Sequence, residues 1–202
     1  MDGKGLMSEN FFPLTWEHYG ILVEDLWQDL NTKLQSKNIK IDAVIAILRE
    51  GVFTAMPMAY KLNTYKILTI QYKYILHDGS NELKKISGLS EANFDLPNSP
   101  VFLLCDTFPC GGKTKFLATE EIKEKYPNCK FIFVSLIQDS SVENHPDFLT
   151  SAYAFDVNEK WETTHPLFKK LGIEKNALNV VLPWENEGEE QASVHQTEWK
   201  YN

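Results

Sequence analysis

Cysteine is scarce: the 202 residues hold three, at positions 105, 110 and 129, which excludes a disulfide framework. Cys105 and Cys110 have no histidine beside them, so they lack the ligand set of a zinc site. No apolar run approaches the roughly 20 residues of a membrane-spanning helix, and the opening residues lack the charged-then-apolar order of a signal peptide. A reducing cytoplasm is the expected compartment, with no membrane partner. Positive charge is also short. Against 28 Asp and Glu stand 20 Lys and Arg, a formal net charge of -8, which argues against direct nucleic-acid binding and leaves room for a local basic pocket. No Gly-x-Gly-x-x-Gly follows the first predicted strand, so a dinucleotide-binding domain is disfavoured. No internal repeat is visible.

What is present suits one well-buried core: 43% of residues are hydrophobic and 24% charged, at a length short for two domains. Residues 1–13 read as a loose arm. Trp16, Tyr19, Val23, Leu26, Trp27, Leu30 and Leu34 recur at three- and four-residue steps, predicting an amphipathic helix with Thr15 as its N-cap. Short apolar runs predict strands over 41–48, 67–74, 101–105, 131–137 and 178–182. Helices are predicted over 53–62, despite Pro57, and over 113–125. Residues 76–99 read as a mobile excursion with room for a hairpin, and 138–176 as an irregular, aromatic-rich hood. One domain thus covers 14–185, and an acidic tail, disordered or partner-bound, covers 186–202. Alternating strands and helices imply an α/β fold, a parallel sheet flanked by helices. In such sheets ligands bind beyond the carboxyl ends of the strands, where loops 48–52 and 105–113 fall.

The stretch Val101-Phe-Leu-Leu-Cys-Asp106-Thr-Phe-Pro-Cys110-Gly-Gly-Lys-Thr114 is the most informative. A buried strand ends in an acid, and a Gly-rich turn then opens a helix. Backbone N–H groups of such a turn, with the helix N-terminus, form an anion site. Lys113 adds a charge and Thr114 a hydroxyl donor. A Walker A loop requires glycine where Thr107 stands, five residues before Gly112, and is rejected. A plain glycine turn joining strand to helix is the simpler alternative.

This stretch resembles the phosphoribosyl-pyrophosphate motif of type I phosphoribosyltransferases, in particular the purine-type bacterial and archaeal group. A gapless overlay sets Asp106, Thr107 and Cys110 on the motif's three acids, and Gly111, Gly112, Lys113 and Thr114 on the part that wraps the 5-phosphate. The resemblance extends to Leu48-Arg49-Glu50-Gly51, at the place of the family's pyrophosphate loop, where a cis peptide would fall at Leu48–Arg49. It also takes in the helix opening Leu14-Thr-Trp16-Glu, the hood segment Pro146-Asp-Phe148 and the closing strand Val180-Val-Leu-Pro-Trp-Glu185. It implies a phosphoribosyltransferase fold with a small irregular hood, and transfer of a phosphoribosyl group to a purine-like base with release of pyrophosphate. It further implies Mg²⁺, with Asp106 at the ribose hydroxyls or the metal, Asp106 and Cys110 in the catalytic positions, Thr107 at the ribose and Arg49, Glu50 and Gly51 at the pyrophosphate.

Three positions depart from the family pattern: Thr107 and Cys110 replace acids, and Asp139 stands where purine enzymes carry a lysine for the 6-oxo group. An acid there suits an amino-bearing ring better than a 6-oxo acceptor. Trp161 falls where the family stacks an aromatic on the base, though a core role explains it equally well. Two functional readings follow. One is an active transferase using phosphoribosyl pyrophosphate. The other is a divergent nucleotide-binding regulatory or effector subunit with altered or lost activity. Either is compatible with a homodimer or a place in a larger assembly.

Overall fold

The computed structural model describes residues 11–77, 80–109, 112–138, 146–156 and 179–185. In chain order the elements are β1 (Phe11–Pro13), α1 (Trp16–Lys37), β2 (Ala43–Leu48), α2 (Gly51–Lys61), β3 (Ile67–His77) and β4 (Ser80–Ser87). There follow β5 (Val101–Asp106), α3 (Lys113–Lys125), β6 (Lys130–Gln138), β7 (Phe148–Asp156) and β8 (Asn179–Val181). The chain divides into two compact units, one of Met1–Leu22 with Glu159–Asn202 and one of Val23–Asn158.

In the smaller unit β1 pairs in parallel with β8, and the Leu14 N–H extends the ladder to the Val181 carbonyl at 2.8 Å. The last residues of the expected loose arm are therefore a strand. Nothing local announces it, because a three-residue pairing is supplied entirely by a partner far along the chain. Thr15 caps α1 as expected: its hydroxyl accepts the His18 N–H at 3.2 Å, while His18 Nδ1 accepts the Thr15 N–H at 3.2 Å. That is a capping box with histidine in place of the usual Glu or Gln. The apolar stripe of α1 is narrower than the sequence suggests. Trp16 is 58% exposed and leans on Tyr19 and Trp184, whereas Leu22, Val23, Leu26, Leu30 and Leu34 are buried.

The larger unit is a six-stranded sheet in the order β4-β3-β2-β5-β6-β7. Every neighbouring pair is parallel except the hairpin β3–β4, which turns the expected excursion into an antiparallel edge. One face carries Ile45, Phe102, Leu104, Phe131 and Phe133, closed over by Ala118 and Ile122 of α3. These positions alternate along their strands, as residues sharing a sheet face must.

The predicted hood needs one correction. Residues 148–156, expected to be irregular, form the edge strand β7. Its sequence, Phe-Leu-Thr-Ser-Ala-Tyr-Ala-Phe-Asp, has no apolar run, because an edge strand buries little; of its centre only Ala152 is fully buried. Its outer edge is held by α1. Lys33 and Lys37 donate to the carbonyls of Ser151 and Leu149 at 2.8 and 3.0 Å, and Asp29 accepts the Tyr153 N–H at 3.3 Å. Side chains thus satisfy polar groups that a free edge would offer to another chain.

Candidate functional site

Adjacent strands β2 and β5 bring two turns together at the carboxyl edge of the sheet. The first follows β2. The Leu48–Arg49 peptide is cis, at the bond where one was expected. Arg49, the sole arginine of the chain, is exposed, and α2 starts two residues later. The Phe53 N–H closes on the Glu50 carbonyl at 2.9 Å. Gly51 is required by close approach: a Cβ there would lie 2.5 Å from the Cys105 carbonyl oxygen and 3.4 Å from the Asp106 Cα. The pyrophosphate-loop candidate is thereby pressed against the end of β5.

Asp106 ends β5 on the sheet face shared with Leu104, and Ser135 is its register partner on β6. Burial pushes the Asp106 carboxyl up to about 7. The 2.8 Å bond from the Thr107 N–H and the charge of Lys115 pull it down, while Glu50 pushes it further up. Thr107 is fully buried with its side chain turned inward. Its hydroxyl donates to the Glu50 carbonyl at 2.8 Å and lies 3.5 Å from the Thr54 hydroxyl, pinning one turn to the other.

The second turn leads into α3. Gly112 caps the helix at φ 67°, a left-handed conformation that glycine adopts without penalty. Among the described residues no side chain caps this terminus, and no acid lies in its first turn; the Gly112 N–H donates to the Pro109 carbonyl at 3.1 Å, so the helical N–H groups from Lys113 onward are the ones an anion could meet. Lys113 is exposed and Thr114 half-buried beside them. Cys110, Gly111, Asp139 and Trp161 lie outside the described residues.

Two groups escaped the sequence reading. Lys115 is buried, with its ammonium over the rings of Phe133, Phe116 and Phe148 at 5.1, 5.4 and 5.7 Å. Its helical spacing with Ala118, Thr119 and Ile122 was the available signal. Ser135 is fully buried, and its hydroxyl has no hydrogen-bond partner among the described residues. Nothing in the sequence of β6 marks it.

Among the described residues no cluster of three His, Cys, Asp or Glu forms a self-sufficient metal cage. The oxygen donors Asp106 and Glu50 do fit the magnesium habit of using one or two carboxylates together with substrate phosphates.

The sequence matches no family profile, and no curated protein matches it. Solved structures do. A purine phosphoribosyltransferase from Pyrococcus horikoshii superposes with a TM-score of 0.58 at 18% identity, over 88% of this chain and 95% of that one. A xanthine-guanine-hypoxanthine phosphoribosyltransferase from Helicobacter pylori does so with 0.59 at 14%, over 91% and 99%. A protein from Neisseria gonorrhoeae solved with bound ppGpp reaches 0.56 at 16%, over 91% and 94%. The fold is that of the type I phosphoribosyltransferases.

Proposed function

We propose that this protein is a phosphoribosyltransferase that binds phosphoribosyl pyrophosphate with Mg²⁺ and transfers the phosphoribosyl group to a purine-like base. The observation that carries the reading is the apposition of the Arg49–Gly51 turn to the end of β5, immediately ahead of the uncapped N-terminus of α3. The backbone amides of Lys113 and Thr114, with Gly111, Gly112, the Lys113 ammonium and the Thr114 hydroxyl, hold the 5-phosphate. Arg49, on the turn with Glu50 and Gly51, neutralises pyrophosphate as it leaves. Asp106, once ionised, accepts the ribose hydroxyls and faces the metal. Bound magnesium would neutralise charge on the pyrophosphate, with Asp106 and Glu50 as its carboxylate contacts. Inward-turned Thr107 acts at the ribose by fixing the turn that Asp106 faces. Cys110 takes the catalytic position beside the base, and Trp161 and Asp139 contact the base itself. A nitrogen of that base attacks ribose C1 while the C1–pyrophosphate bond breaks, through an oxocarbenium-like state that the Asp106 carboxylate stabilises.

A second reading is supported by Thr107. A hydroxyl committed to the Glu50 carbonyl supplies no second acid for the ribose. A nucleotide-binding regulatory or effector subunit with altered activity fits that departure, and the ppGpp-bound neighbour is of this kind of ligand chemistry. Both readings suit a cytoplasmic protein; none of the described helices is long and apolar enough to cross a membrane.

Calorimetry with phosphoribosyl pyrophosphate and Mg²⁺, followed by a base panel scored by pyrophosphate release, separates them. Binding, turnover with one base, and a roughly tenfold loss of affinity in Thr114→Ala are expected. Binding without turnover across the panel would leave the second reading. No binding at all would sink both.

A further inference from the structure

We propose that Ser135 is a positioning residue for Asp106: its buried hydroxyl donates to the Asp106 carboxylate and holds it in the orientation that accepts ribose hydroxyls. The inference rests on the reading of Asp106 as the ribose contact. Strands β5 and β6 run in parallel, and their register partners share a sheet face. On the face covered by α3 the pairs read Phe102 with Phe131, Leu104 with Phe133, then Asp106 with Ser135. The first of these pairs meets ring to ring at 6.1 Å. An apolar row thus ends, at the carboxyl edge of the sheet, in one acid beside one hydroxyl.

Ser135 is fully buried, and its hydroxyl has no hydrogen-bond partner among the described residues. A hydroxyl taken from water without a partner costs stability, and alanine would fill this place in the strand without that cost. Packing therefore gives no reason for serine. A hydroxyl proton needs an acceptor, and a carboxylate is the strongest that a side chain offers. On β7 the register partner of Ser135 is Tyr153, whose ring lies under the Lys33 ammonium at 5.4 Å. On β5 it is Asp106. One Asp106 oxygen accepts the Thr107 N–H at 2.8 Å, and a carboxylate has lone pairs for further donors. The new bond forms by rotation about the single side-chain torsion of serine. Held by the Thr107 N–H and the Ser135 O–H, the carboxylate keeps its other lone pairs for the ligand. Asp106 is half-buried at this edge, whereas Ser135 is sealed, so Ser135 acts through Asp106 and does not touch the ligand.

The test is calorimetric titration of the intact chain with ribose 5-phosphate and, separately, with inorganic phosphate, both without Mg²⁺. The proteins are wild type, Ser135→Ala, Asp106→Ala and the double variant. Ser135→Ala is expected to weaken ribose 5-phosphate roughly five- to tenfold, while phosphate stays within about twofold because other groups make the anion turn. It should also unfold no earlier than wild type on heating, since it removes a hydroxyl without a partner. In the Asp106→Ala background the same substitution should cost less than about twofold, the mark of two groups acting as one. Should Ser135→Ala not fold, Ser135→Cys makes the same comparison with a weak donor of similar size. Equal ribose 5-phosphate affinity in wild type and a folded Ser135→Ala overturns the proposal. So does an equal loss of phosphate, or an undiminished loss in the Asp106→Ala background. If Asp106→Ala weakens ribose 5-phosphate and Ser135→Ala does not, the ribose reading of Asp106 stands and Ser135 plays no part. If Asp106→Ala leaves ribose 5-phosphate binding unchanged, or wild type does not bind it, that reading falls and this inference with it.

Discussion

Two glycines of the site are constrained for different reasons, and the difference is measurable. Gly51 has an ordinary backbone but no room: an added methyl would meet the Cys105 carbonyl oxygen at 2.5 Å, and backbone cannot swing aside as a side chain can. Gly112 sits at φ 67°, which costs an L-residue roughly 1–2 kcal/mol. Gly51→Ala is expected to destabilise by about 3 kcal/mol or more, clearly beyond Gly112→Ala, as read by urea unfolding. Equal losses would mean that the β2–α2 turn relaxes away from β5 and that the apposition of the two turns is not enforced. The Gly-rich turn was legible from the sequence because turn chemistry is local. The reason for Gly51 was not, since its neighbour lies more than fifty residues away.

Among the elements, the β3–β4 hairpin meets α3 at the Glu121 carboxylate, beside which the Tyr72 hydroxyl also lies 3.3 Å from the Leu117 carbonyl. Glu121 accepts the Tyr72 hydroxyl at 2.7 Å and the Leu89 N–H at 3.0 Å, and pairs with Lys85 at 3.2 Å. Burial alone would raise its pKa, but the bonds from Tyr72, Leu89 and Lys85 together hold it below the usual range. The same contact, with burial acting first, pushes the Tyr72 phenol upward. Glu121→Ala leaves the Leu89 N–H without its acceptor, a loss of roughly 1–3 kcal/mol. Hydrogen exchange is expected to quicken in residues 72–76 and 82–89 while β2, β5 and β6 keep their protection. Uniform acceleration over the sheet would show that the hairpin is an integral part of the core and not a separately fastened element. The helix and strand periods gave no hint of this link, because a Glu on a helix surface and a Tyr in a strand become partners only after α3 is packed.

For the molecule as a whole, Asp106 sets a slope in the dependence of stability on pH. Its carboxyl stands at about 7 in the folded chain against an ordinary 3.8, so between those values the native state holds a proton that the unfolded chain has released. The stabilising contribution of the neutral carboxyl is full below about pH 4 and is lost as pH rises through about 7. Asp106→Asn stays neutral throughout. Between pH 5 and 8 wild type is expected to lose about 2 kcal/mol relative to the variant in urea unfolding. Parallel pH profiles would place the carboxyl in a wetter setting.

The division between sequence and tertiary structure follows the range of the forces involved. Periodicity and turn chemistry are local, so α3 was legible to its ends, the central strands to within a few residues, and the glycine turn that opens α3 at Gly112 from its composition alone. Hydrophobic runs marked β2, β5 and β6 because both faces of those strands are covered. The edge strand β7 and the short β1–β8 ladder had no such mark, since distant partners supply their stability. The site divides in the same way. Asp106 and Thr114 were visible as a motif, whereas three outcomes depended on packing: the inward turn of Thr107, the burial of Lys115 among three rings, and the seating of the Arg49 turn against β5. Side-chain direction at a strand end and the enclosure of a charge are decided by what packs above them, and only the folded chain brings those neighbours within reach.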